Sequence, residues 1–192
     1  MNKMRKLFLL MLIIGISGCA YAGYIEDPFQ DIPAFYKVND GLYRGGRPDM
    51  NGLMRLSDMD IKTIVSFQAE DNSGKNEEIM AEAMGIRNFY RIPLSVEKAP
   101  TDSQVLRFLS IVTDKNKQPV FIHCESGRDR TGAMIALYRV VVEGWTIKEA
   151  YNEAKQLGFW PYHGNAELKK FLHQLKDKEI YFKAVGRQVP EK

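Results

Sequence analysis

Cysteine and histidine are scarce in this chain, which holds two cysteines, Cys19 and Cys124, and three histidines among 192 residues. So few thiols exclude a disulfide framework, and with no spaced pairs of His or Cys they give no basis for a zinc site. Long apolar runs are also lacking. Leu7 to Ile16 is too short to span a bilayer, but with Lys3, Arg5 and Lys6 ahead of it the run has the make-up of an export signal. Nor does either charge dominate once that leader is set aside, because the whole net charge of +3 resides in those three residues. A chain formally near neutral lacks the basic footprint of nucleic-acid binding, and about 170 residues suit one domain around one core.

Residues 1–22 are therefore expected to be a signal peptide and 23–192 the folded domain. Two cleavage patterns overlap: Ile16-Ser17-Gly18-Cys19 has the form of a bacterial lipobox, and Ala20-Tyr21-Ala22 suits ordinary signal peptidase. The lipobox is favoured because a cysteine directly after Gly18 has little other reason to be there. The expected location is outside the cytoplasm, in the periplasm, with membrane contact only through a lipid on Cys19. In either case Cys124 is left as the one free thiol, in an oxidising compartment where it has no intrachain partner. Its presence calls for chemistry or for burial as a small apolar side chain.

Along the domain, Tyr36-Lys37-Val38 and Leu42-Tyr43-Arg44 flank the turn signal Asn39-Asp40-Gly41, which predicts a hairpin. A short helix over 51–59 and a β-branched strand over 61–67 come next, then a polar loop from Glu70 to Lys75. The spacing predicts a helix over 77–84 that stops at Gly85, and a strand over 88–94. Thr101-Asp102-Ser103-Gln104 has the form of a capping box opening another helix. Val120-Phe121-Ile122 reads as a buried central strand, and 131–142, apolar almost all round, as a core helix. Thr146 to Glu149 repeats the capping-box pattern for a helix ending near Gly158, and Asn165 caps a last helix through Leu175. Strands alternating with helices imply an α/β fold with a mostly parallel central sheet flanked by helices. Ligands in such sheets bind beyond the carboxyl ends of the strands.

Cys124 sits at such an end. The segment His123-Cys124-Glu125-Ser126-Gly127-Arg128-Asp129-Arg130-Thr131-Gly132 joins the buried strand to the buried helix. A loop curled over a helix N-terminus turns successive N–H groups inward, and with the helix dipole these suit a phosphate dianion. Gly127 permits the tight path. The same positive field favours a thiolate at the loop's start, which makes Cys124 a candidate nucleophile. Arg130, six residues on, can return over the same centre with a planar fork matched to two phosphoryl oxygens. Thr131 can offer its hydroxyl to the sulfur, and Glu125, Ser126, Gly127 and Arg128 contribute amides for substrate binding.

These residues resemble the protein tyrosine and dual-specificity phosphatase superfamily, whose signature is Cys, five residues, then Arg, preceded by His and followed by Ser or Thr. His123 to Thr131 matches at every position. The resemblance runs from about Leu42-Tyr43-Arg44-Gly45 to Gly158-Phe159 and is strongest to small dual-specificity-like enzymes exported by Gram-negative bacteria. It implies a cysteine phosphatase fold and metal-free, cofactor-free, two-step phosphate hydrolysis through a phosphocysteine.

The general acid departs from that pattern. Family members carry an Asp on a mobile loop ahead of the cysteine, whereas here Ile92-Pro93-Leu94-Ser95-Val96-Glu97-Lys98 holds none. Glu97 is the nearest carboxyl in that region. Asp129 is an equal candidate, since Cys-x-x-Gly-x-Asp-Arg also resembles the myotubularin-type lipid phosphatases, in which a carboxylate within the loop can supply the proton. Asp102 is better explained by its place in a helix's first turn.

Arg44 reads as a surface or ion-paired arginine, although the resemblance places its segment near the phosphate loop. His123 reads as a loop-orienting residue, and Phe159-Trp160-Pro161-Tyr162 as a loop anchor that could border a cleft. The expected partner is a phosphorylated protein, above all phosphotyrosine, or a small phosphomonoester, and not nucleic acid. Two alternatives stand: a phosphoinositide or inositol phosphate phosphatase, suggested by Arg128 and Asp129, and a non-catalytic phosphate-binding module, suggested by Val96 where an Asp is expected.

Overall fold

The computed structural model describes residues 30–69, 72–160 and 166–189. The leader, both cleavage patterns and the Asn165 cap lie outside these residues.

The predicted hairpin forms from β1 (Tyr36–Asn39) and β2 (Leu42–Gly45), antiparallel, with Asn39 Oδ1 accepting from the Gly41 N–H at 2.9 Å. After α1 (Met50–Asp58) come β3 (Thr63–Ser66), α2 (Asn72–Ala83) and β4 (Asn88–Arg91). Then follow α3 (Asp102–Val112), β5 (Val120–His123), α4 (Asp129–Tyr138) and a π-helical turn (Arg139–Glu143). Helices α5 (Ile147–Gln156), α6 (Ala166–His173) and α7 (Glu179–Ala184), with a 3₁₀ turn before the last, complete the described chain. The sheet order is β1-β2-β5-β3-β4, and all pairs but the hairpin are parallel. The mostly parallel α/β sheet is therefore as expected.

Both predicted capping boxes form: Thr101 with Gln104, and Thr146 with Glu149. Gly85 and Gly158 close α2 and α5 with positive φ, as a left-handed helix stop requires. Three expectations need correction. Helix α2 begins at Asn72, inside the segment read as a polar loop. The core helix starts at Asp129 and widens into the π-helical turn at Arg139. Helix α7 was not foreseen; it docks through buried Tyr181 and Phe182, and Asp102 accepts from Tyr181 Oη (2.6 Å) and Lys178 Nζ (2.9 Å).

Alternation along β5 sends Val120, Ile122 and Cys124 to one face and Phe121 and His123 to the other. The first face is covered by α3 to α7, the second by α1 and α2. Helix α4 is buried from Thr131 through Tyr138 and forms the centre of the larger layer. Truncating wholly buried Leu137 to Ala would cost about 2–5 kcal/mol. Arg139 ties the end of α4 to α5: its guanidinium donates to both carboxylate oxygens of Glu153 (2.7 and 3.0 Å) and to Glu143 (2.6 Å), over the Trp145 ring. Burial works against that charge, but the bonds to Glu153 and Glu143 outweigh it and hold the group above the usual arginine range. These contacts set α4 firmly, so its N-terminus points at the loop that leaves β5.

Candidate active site

Strand β5 ends at His123, and Cys124 follows at the carboxyl edge of the sheet, 1% exposed, at the start of the loop that leads into α4. Gly127 sets the loop's path. Its φ is +72°, and a Cβ there would overlap the backbone of Gly45 and Gly46 at the end of β2. The loop is also held by Arg47 N–H donating to Glu125 O (2.9 Å), by Gln68 Nε2 donating to the Glu125 carboxylate, and by Arg44 Nη2 donating to Gly127 O. Among the described residues the N–H groups from Glu125 to Thr131 have no acceptor. The first amide with one is Gly132, which donates to Arg128 O at 2.9 Å. Donors of this kind, in a loop that leads into a helix N-terminus, suit an anion.

Arg130 is half-buried, and its Nη1 donates to Phe67 O at 3.3 Å, just beyond β3. The same carbonyl accepts from Leu94 N–H at 3.2 Å, so one oxygen joins the arginine to the start of the segment that carries Glu97. Thr131 is wholly buried, and its hydroxyl has no partner among the described residues; the expected bond to the Cys124 sulfur is not made. Ser126 and Arg128 are exposed, and the Arg128 stem packs on Gly158.

On the other face, His123 is fully buried with both ring nitrogens near oxygens. Nδ1 lies 3.2 Å from Cys124 O, and Nε2 lies 2.9 Å from Glu77 Oε1, an ion-pair distance whose angle falls short of a hydrogen bond. Glu77, 1% exposed on α2, has Arg47 Nε 3.6 Å from its second oxygen. A buried carboxylate between two basic side chains fixes the ring that precedes Cys124.

The two acid candidates are placed differently. Asp129 Oδ1 accepts from the Trp160 N–H at 3.0 Å, so this carboxylate, in the first turn of α4, holds the Trp160 backbone to the loop. Glu97 is exposed, and its own N–H donates to Ser95 Oγ at 3.0 Å. Asp102, bonded to Tyr181 and Lys178, is structural.

Arg44 corrects an expectation. It is not a surface residue but 0% exposed, beneath the loop. Glu77, Gln68 and the Phe67 carbonyl were also missed, and only long-range contact reveals them. Among the described residues no group of three or more His, Cys, Asp or Glu is placed to hold a metal ion, and no helix is long and apolar enough to cross a membrane.

Residues 34–169, well over half the chain, match the family model described as DSP-PTPase phosphatase fused to NAD+ kinase. The chain belongs to this family of dual-specificity-type phosphatases. It is 29% identical over 125 residues to the dual specificity protein phosphatase TpbA of Pseudomonas aeruginosa, covering 65% of this chain and 54% of that protein. It is 28% identical over 123 residues to an inositol diphosphatase of Oryza sativa subsp. japonica, covering 62% and 54%. The chain thus spans about half the length of these curated relatives. Among solved structures, TpbA superposes with a TM-score of 0.66 at 23% identity, covering 81% of this chain and 92% of the other. The core catalytic domain of the PP-IP phosphatase Siw14 of S. cerevisiae, in complex with citrate, gives 0.66 at 25%, covering 77% and 89%. These likenesses agree with the α/β cysteine phosphatase fold read from the sheet and loop.

Proposed function

We propose that this chain hydrolyses phosphomonoesters through a phosphocysteine on Cys124, with phosphotyrosine in proteins as the main substrate class. The observation that carries the reading is the run of unused N–H groups from Glu125 to Thr131 that follows directly on Cys124. In this reading the phosphoryl oxygens take those amides and the free nitrogens of Arg130. The sulfur attacks phosphorus, and the bond to the leaving oxygen breaks as a carboxyl protonates it. Water then attacks the phosphocysteine, giving its proton to the same carboxylate, and inorganic phosphate leaves.

Glu97 is assigned as that carboxyl. Asp129 already accepts a hydrogen bond from the Trp160 N–H and sits in the first turn of α4, and both features commit it to holding the loop. Glu97 is bound by neither constraint.

A phosphotyrosine ester is preferred to inositol phosphates because the loop presents Glu125 and Asp129 beside Arg128, a balance that does not favour a polyanion. TpbA has been solved in a cysteine-to-serine form with pTyr, in keeping with this choice. The inositol reading keeps support from the diphosphatase relatives. Phosphate release from a phosphotyrosyl peptide and from soluble inositol phosphates, measured side by side, separates the two. Release from neither after hours with stoichiometric binding returns the non-catalytic module. The export reading is retained as a proposal, and the mass of the processed N-terminus distinguishes a lipid-bearing Cys19 from a chain beginning at Gly23.

A further inference from the structure

No side chain among the described residues is buried as fully as Arg44 and is larger. An arginine with no exposure needs partners, yet it has one bond, from Nη2 to Gly127 O; Nε and Nη1 are buried without any. Its position says what it faces. Arg44 pairs in parallel register with Ile122, so the two side chains leave the sheet on the same side, and Cys124, two residues beyond Ile122, leaves on that side as well. Helix α4 closes the space from above, with Gly132 so near that a Cβ there would stand 3.9 Å from Arg44 Nη2.

The ionisable groups acting on Arg44 come from four elements: Cys124 after β5, Glu153 on α5, Tyr36 on β1, and Arg139 beyond α4. Glu153 is committed through both oxygens to Arg139, so that pair offers little net charge. Burial pulls the Arg44 guanidinium down to about 10, and Cys124 is the foremost group acting to restore its charge. What is left acting on this cation is the cysteine, with Tyr36 on β1 a lesser contributor.

We propose that Arg44 is a positioning residue that serves as a fixed buried counter-charge for the Cys124 thiolate while its bond to Gly127 O holds the loop in its open curl. This rests on Cys124 being the nucleophile. It divides the work between two arginines: Arg130 meets the phosphoryl group, and Arg44 meets the sulfur from within the core. The arginine needs Gly127 as well, because only a residue able to hold positive φ presents its carbonyl downward here.

The test is the pH dependence of Cys124 alkylation by iodoacetamide in the full chain, with the adduct read on the Cys124 peptide by mass spectrometry and phosphate release assayed in parallel. In Arg44→Gln the alkylation midpoint is expected to move up by about one pH unit relative to wild type, so that alkylation below both midpoints slows about tenfold. Arg44→Lys, which keeps the charge but not the fork, is expected to stay within a few tenths of wild type while kcat falls. A folded Arg44→Gln protein with the wild-type midpoint overturns the proposal. Should that variant not fold, an Arg44→Lys midpoint displaced by a full unit overturns it too. Failure of the underlying reading looks different: wild type itself then releases no phosphate from any ester.

Discussion

The loop from Cys124 to Thr131 is held from below by Arg44, from the hinge by Arg47 and from the side by Gln68, whereas Ser95 to Lys98 is exposed along its whole length. One region is built before any substrate arrives. The other is anchored at its start, where Leu94 N–H bonds Phe67 O and Gln104 Nε2 bonds Pro93 O at 2.6 Å. On the proposed mechanism, the nucleophile half of the chemistry belongs to a loop braced by the fold, while the acid half falls to an exposed segment. The Phe67 carbonyl links the two regions, accepting from Arg130 on one side and from Leu94, just ahead of the exposed segment, on the other.

The comparison breaks most sharply at the sulfur. Cys124→Ser is expected to lower turnover by at least about ten-thousand-fold while phosphate binding persists, since the amides proposed to hold the anion are untouched. Gly127→Ala attacks the same rigid region through its backbone. The strain at φ +72° and the overlap with Gly45 and Gly46 should cost on the order of 3 kcal/mol in denaturant unfolding and remove measurable turnover.

The exposed region responds differently. Glu97→Gln is expected to lower kcat about a hundredfold and leave unfolding unchanged, with the basic limb of the pH–rate profile flattened because no acid remains to lose its proton. Asp129→Asn should instead keep that limb and lower activity only a few-fold, by loosening Trp160. Opposite results for this pair would move the acid into the rigid loop. Glu77→Gln, which alters the support of His123, is expected to reduce stability by about 1–3 kcal/mol and turnover about tenfold.

The smallest effect lies far from the loop. Hydrogen bonds from Tyr181 and then Lys178 hold the Asp102 carboxyl below its ordinary range. A folded value below the unfolded one means this stabilisation is present above the ordinary carboxylate range and lost as pH falls through the folded value. Wild type should therefore unfold slightly later than Asp102→Asn at neutral pH and coincide with it in strong acid, as thermal melts at the two pH values would report.

Local signals carried much of this architecture. The Asn39-Asp40-Gly41 turn, the two capping boxes, the glycine stops and the apolar run of α4 each depend on neighbours in sequence, and each was legible. So was the loop from His123 to Thr131, because its residue types are tied together by one short path. What escaped were groups whose meaning lies in distant partners. Glu77 looks like one more charge in a polar helix until β5 brings His123 against it. Arg44 looks solvated until α4 covers it, because a charged side chain in an edge hairpin gives no sign of being roofed over. Helix α7 was missed because its apolar pair, Tyr181 and Phe182, is too short a signal without the Asp102 contact that docks it.

Rapid quench in denaturant during turnover of a phenyl phosphate, followed by mapping of the labelled peptide, addresses the sulfur directly. A phosphoryl group on the peptide that contains Cys124, formed and lost at the rate of turnover, is the predicted result. Turnover that proceeds with no phosphoryl group ever found on that peptide would contradict the account.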